Sequence, residues 1–124
     1  MPLDGKRILI VEDEAIIAAD LAMEVEAAGG MIVRTVGSVD AALDFIASTE
    51  FDGATVDIRL MEQRSFEVAD ALTARHIPFV FATALAHRNA PARFADVPWL
   101  TKPSRIGAVC RALEGVIRPA RQEC

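Results

Sequence analysis

The chain has 124 residues, is 52% hydrophobic and 25% charged, and carries 13 basic against 18 acidic side chains, a formal charge of −5. That length is close to the commonest domain size and buries a core without help from disulfides or a structural metal. The balance excludes a disordered chain, and the negative charge makes it a poor non-specific binder of nucleic acid or of anionic membrane.

The apolar pattern alternates between short β-branched runs and longer segments of helical period. Residues 7–11 form a continuous apolar run of the kind covered on both faces in a parallel sheet. Residues 14–28 follow with helical spacing, Ile17, Leu21 and Val25 marking the inward face, and Gly29-Gly30 supplies a left-handed stop. Residues 31–36 predict a second strand. Ser38 is placed to cap a helix running through Ala47, with Val39, Ala42, Leu43 and Ile46 on one side. Residues 54–58 predict a third strand and residues 67–75 a helix with Val68 and Leu72 inward. Residues 78–82 predict a fourth strand opened by Pro78, which is tolerated at a first position. The segment 85–96 has poor periodicity and predicts only a short or irregular fourth helix. Residues 97–101 predict a fifth strand. Ser104 then caps a last helix carrying Ile106, Val109, Leu113 and Val116, ended by Pro119 before a tail over 120–124.

Five strands alternating with five helices imply right-handed βαβ units and a parallel sheet between two helical layers, an α/β doubly wound domain. The reading gives one domain over residues 1–124, with a core of about 6–118 and no output domain, repeat or linker. Two cysteines are too few for a disulfide framework, so Cys110 is expected as a core thiol and Cys124 as a solvated terminal one. No signal peptide or membrane-spanning stretch is recognisable, which leaves the cytoplasm as the expected location.

In such a sheet, ligands bind beyond the carboxyl ends of the strands. Those ends carry Glu12-Asp13, Asp57, Thr83 and Lys102. Three carboxylates gathered at one edge repel each other unless a cation neutralises them, and an all-oxygen donor set suits Mg²⁺. Lys102 stands before Pro103, where a turn of the chain would aim its ammonium at the acids or at a phosphoryl oxygen.

The segments Ile8-Leu9-Ile10-Val11-Glu12-Asp13-Glu14, Val56-Asp57-Ile58-Arg59-Leu60, Ala82-Thr83-Ala84 and Thr101-Lys102-Pro103-Ser104, in this order and spacing, resemble the signature of response-regulator receiver domains of two-component signalling. The resemblance covers nearly the whole chain. It implies a flavodoxin-like (βα)5 fold with strand order 2-1-3-4-5. It implies Asp57 as phosphoacceptor, taking its phosphoryl group from a histidine kinase or histidine phosphotransfer protein. Asp13, Asp57 and the Arg59 backbone carbonyl would bind Mg²⁺, with Glu12 acting through water. Lys102, Thr83 and the Ala84 amide would hold the phosphoryl oxygens, and Thr83 and Trp99 would take the switch positions. In the family, kinase specificity generally lies on the first helix, here residues 15–23, whose composition is unusually apolar. The implied state is a monomer or weak homodimer that passes its signal to a protein target or along a phosphorelay.

A narrower resemblance runs through Val68 to Leu72, Arg75 and Ile77-Pro78-Phe79-Val80-Phe81-Ala82-Thr83, similar to single-domain alphaproteobacterial receivers with a Pro-Phe-x-Phe-Ala-Thr-Gly-Tyr motif. Ala84-Leu85 stands where that motif has Gly-Tyr, and the chain contains no tyrosine. A bulky Leu85 would exclude water from an acyl phosphate and slow its hydrolysis. The residues leave two alternatives. One is a receiver-like interaction domain that works without phosphorylation. The other is a metal-dependent phosphoesterase, which wants a paired Asp-x-Asp that neither Asp57-Ile58-Arg59 nor Glu12-Asp13-Glu14 supplies.

Overall fold

The computed structural model describes residues 2–58, 65–83, 91–101 and 107–117. Five strands, β1 (Arg7–Val11), β2 (Met31–Val36), β3 (Gly53–Val56), β4 (Phe79–Thr83) and β5 (Trp99–Thr101), form one parallel sheet in the order β2-β1-β3-β4-β5. Among the described residues, four α-helices connect and cover it: α1 (Ala15–Ala27), α2 (Val39–Ser48), α3 (Ser65–Ala74) and α4 (Ala108–Ile117). Where a weak fourth helix was expected, the described part of the connection between β4 and β5 holds a single 3-10 turn, Ala92–Phe94.

Strand alternation sorts the apolar residues into two cores. Leu9, Val11, Ala54, Val56, Phe79 and Phe81 face α2 and α3, and pack with Val39, Ala42, Ile46, Val68, Ala69 and Leu72. Ile8, Ile10, Val80 and Ala82 face α1 and α4, and pack with Ala18, Leu21, Val25, Val109 and Leu113. Both faces are therefore covered, which is why these strands read as unbroken apolar runs instead of alternating ones. Cys110 belongs to the second core and donates to the Glu24 carbonyl at 3.4 Å. Burial, followed by the nearby Glu24 charge, pushes its pKa up to about 11, so it stays a neutral thiol. Cys124 lies outside the described residues.

The helix ends follow from their chemistry. Ser38 caps α2 by accepting from the Ala41 amide at 3.1 Å. The end of α1 is closed by Gly29 at φ 95° and by the Gly30 amide donating back to the Val25 carbonyl at 2.9 Å. The same closure ends α3, with the Ile77 amide on the Leu72 carbonyl, but there His76 takes the left-handed position at φ 59°. The guanidinium of Arg75 donates to the Ile46 carbonyl and ties α3 to the last turns of α2.

Several boundaries differ from expectation for a common reason. Strand limits are set by the ladder partner, and apolarity alone does not reveal it. β3 was expected over 54–58 but pairs Gly53–Val56 with Ile8–Val11. β4 was expected over 78–82 and β5 over 97–101, yet they begin at Phe79 and Trp99. Pro78 and Pro98 stand just before them and lack an N–H, contributing only carbonyls, to Ala54 and Phe81 respectively. In α1 the buried positions are Ala18, Leu21 and Val25, with Ile17 only half-buried. Leu21 and Val25 are inward as expected, and apolar residues on the outer side, Ile16 and Met23, blur the roll that separates Ile17 from Ala18.

Candidate functional site

The ladder continues one step past the strands. The Glu12 amide donates to the Val36 carbonyl at 2.9 Å and the Asp57 amide to the Val11 carbonyl at 3.0 Å. The first ties the end of β1 to β2 and the second holds the end of β3 on β1, with Val11 opposite Val56, which brings the terminal acids of β1 and β3 side by side. Glu12, Asp13 and Asp57 each offer a carboxylate oxygen, and the three lie within 4.8 Å of one another. Glu12 and Asp57 are buried at 3% and 6% exposure, whereas Asp13 is exposed. Two carboxyls close a wall and one opens to solvent, a form that admits an ion from water. Glu12 is oriented by the Glu14 amide, which donates to its Oε2 at 3.2 Å.

An all-carboxylate set fits a hard divalent cation. Mg²⁺ takes one or two carboxylates, keeps several waters and accepts phosphate oxygens. Without a cation, carboxylates this close repel one another.

Thr83 ends β4 at the same edge, fully buried, and pairs across the ladder with Thr101. The Val56–Phe81 register puts it one strand over from Asp57. Trp99 is half-buried, with its indole tilted against Phe81 at 5.2 Å. Around Phe81 gather Phe66, Phe79 and Phe94, at centroid distances of 6.1, 5.3 and 5.6 Å. The 3-10 turn Ala92–Phe94 is linked to α3 by Arg93, which donates to the Asp70 carboxylate with two bonds of 2.9 and 3.0 Å. Its guanidinium also stacks on Phe94 at 4.6 Å. Of the expected site residues, Glu12, Asp13, Asp57 and Thr83 are therefore placed at one sheet edge, while Trp99 stands two positions back, at the start of β5 opposite Phe81. Arg59, Ala84, Leu85 and Lys102 lie outside the described residues.

Sequence reading passed over Thr55. It is 1% exposed, and its Oγ1 has no hydrogen-bond partner. By alternation it shares a sheet face with the next odd position, Asp57. A hydroxyl within an otherwise apolar strand, two residues before the candidate phosphoacceptor, was the available signal.

No family model matches the chain. Among solved structures, the signal receiver domain of a modulated diguanylate cyclase from Desulfovibrio desulfuricans G20 is 25% identical, with a TM-score of 0.81 over 98% of this chain and 100% of that one. SdrG from Sphingomonas melonis Fr1 is 40% identical, with a TM-score of 0.76, over 94% of this chain and 98% of that one. The chain belongs to the response-regulator receiver domains. Such receiver domains are signalling domains of two-component systems, generally not enzymes, and they interact with kinases or phosphotransfer proteins. SdrG has also been solved in a BeF3-activated conformation. Among curated proteins, the transcriptional regulatory protein PdtaR of Mycobacterium tuberculosis is 28% identical over 121 residues. This receiver chain spans about 59% of that relative's length. No helix among its described residues is long and apolar enough to cross a membrane.

Proposed function

We propose that this receiver domain accepts a phosphoryl group on Asp57 from the phosphohistidine of a histidine kinase or phosphotransfer protein. The observation that carries the reading is the meeting of Glu12, Asp13 and Asp57 within 4.8 Å at the carboxyl edge of the sheet. In this reading Asp13 and Asp57 hold Mg²⁺ directly, together with the Arg59 carbonyl, and Glu12 holds it through water. The ion would neutralise charge on the acids and on the incoming phosphoryl group. A carboxylate oxygen of Asp57 forms the new P–O bond as the histidine P–N bond breaks. Thr83, the Ala84 amide and Lys102 steady the three phosphoryl oxygens. Thr83 and Trp99 then carry the change toward the β4–β5 side, for protein contact or onward transfer. A cytoplasmic setting belongs to the same reading and suits Cys110 as a free, buried thiol.

Incubation with labelled acetyl phosphate tests it. Acyl-phosphate label is expected with Mg²⁺ and its loss with a chelator. A wild-type protein that takes no label in Mg²⁺ would remove the proposal.

The kinase would dock on α1, where Ile16 and Met23 are 78% and 67% exposed one heptad apart on the helix surface. Asp20 and Glu26 lie exposed beside them, an acidic rim for a partner with basic flanks. Ile16→Asp combined with Met23→Asp is expected to cut phosphotransfer from the cognate kinase about tenfold, a change of about 1.4 kcal/mol, while leaving acetyl-phosphate labelling unchanged. Profiling against the histidine kinases of the source organism reads this. Equal losses from both donors would place the damage in the fold instead.

A further inference from the structure

We propose that Thr55 is a positioning residue for Asp57, its hydroxyl held in reserve for the loaded site. This rests on the phosphoacceptor reading above. Thr55 is 1% exposed and its Oγ1 makes no hydrogen bond. On the sheet it lies between Ile10 and Val80, both fully buried and apolar, so its neighbours on the adjacent strands offer it no side-chain partner. Valine would fill the same volume without leaving a buried donor unpaired, and a hydroxyl retained there is a standing cost of the resting state.

Strand geometry supplies the partner. Residues two apart on one face have Cβ atoms about 6.6 Å apart. A threonine Oγ and an aspartate Oδ reach toward each other across that gap, so one side-chain rotation of Asp57 brings them to hydrogen-bonding distance. In this proposal that rotation accompanies the step in which one oxygen of Asp57 takes the phosphoryl group or a mimic. The hydroxyl of Thr55 then donates to the carboxyl of Asp57 and fixes its orientation. A cost carried in one state and relieved in the other biases the protein toward the loaded state.

The test compares wild type, Thr55→Val and Thr55→Ser by urea unfolding, each with and without Mg²⁺ plus beryllofluoride. In the resting state Thr55→Val is expected to unfold at an equal or higher urea concentration than wild type. With beryllofluoride it is expected to gain less, its apparent affinity for the mimic falling about tenfold. Thr55→Ser, which keeps the hydroxyl, is expected to bind the mimic within about threefold of wild type. A merely structural threonine would shift the resting and loaded midpoints together, and equal beryllofluoride affinity in wild type and Thr55→Val overturns the proposal. If wild type itself gains nothing from Mg²⁺ and beryllofluoride, the phosphoacceptor reading fails as well.

Discussion

Asp57→Asn is expected to reduce acyl-phosphate label to background, at least about 100-fold below wild type, because an amide oxygen carries no charge and is a poor nucleophile. The same variant is expected to be more stable than wild type when no divalent cation is present. Three carboxyls with oxygens within 4.8 Å, two of them buried, repel in the cation-free protein. At an effective dielectric near 20, two unit charges about 4 Å apart interact by about 4 kcal/mol, and solvent at the exposed Asp13 screens much of it. A net gain of about 1–2 kcal/mol in chelator is the expected result, read from urea midpoints. Adding Mg²⁺ reverses the order. A cation at tenfold excess over its Kd stabilises wild type by about 1.4 kcal/mol, and the variant, short of one ligand, gains less. Label that persists in Asp57→Asn would place the phosphoacceptor elsewhere. A variant less stable than wild type in chelator would mean that Asp57 holds the fold more than it strains it.

Phe81→Ala is expected to cost about 3–5 kcal/mol, a large part of the 5–15 kcal/mol that holds an ordinary domain together. Phe81 is fully buried in the middle of β4, and four aromatic rings surround it. Its removal leaves a cavity that stiff neighbouring rings cannot collapse to fill, so the loss includes a cavity contribution beyond the transfer of the side chain. Phe81→Leu, which keeps much of the volume, is expected to cost less than half as much. Trp99 is the sole tryptophan and touches Phe81 at 5.2 Å, so its emission reports the repacking directly. A loss below about 1 kcal/mol with unchanged emission would mean that the cluster does not pack around Phe81 as described.

These two residues differ in how visible they are in the sequence. Asp57 stands out because it interrupts an apolar setting at a strand end, where the doubly wound fold places its ligands. Phe81 reads only as one more apolar residue in a strand. Its weight comes from Phe66 and Phe94, distant in sequence and brought to it by α3 and by the 3-10 turn. Thr55 was passed over for the same reason. Whether a buried hydroxyl has a partner depends on neighbouring strands and helices, which no local pattern encodes.

Element order, the parallel sheet, the Ser38 cap, the Gly29 stop and the acids at the strand ends are all legible in the chain before it folds. Each follows from short-range chemistry: side-chain periodicity, a capping oxygen, a positive φ, or a charge set beside an apolar run. Only the tertiary structure decided the strand limits, because a ladder needs a partner and Pro78 and Pro98 offer carbonyls alone. It also set the roll of α1, which turns Ala18 inward beside the expected Leu21 and Val25 and leaves Ile17 half-buried. And it decided that Glu12, Asp13 and Asp57 form one cluster, because the register of β1 against β3 brings together acids more than 40 positions apart in the chain.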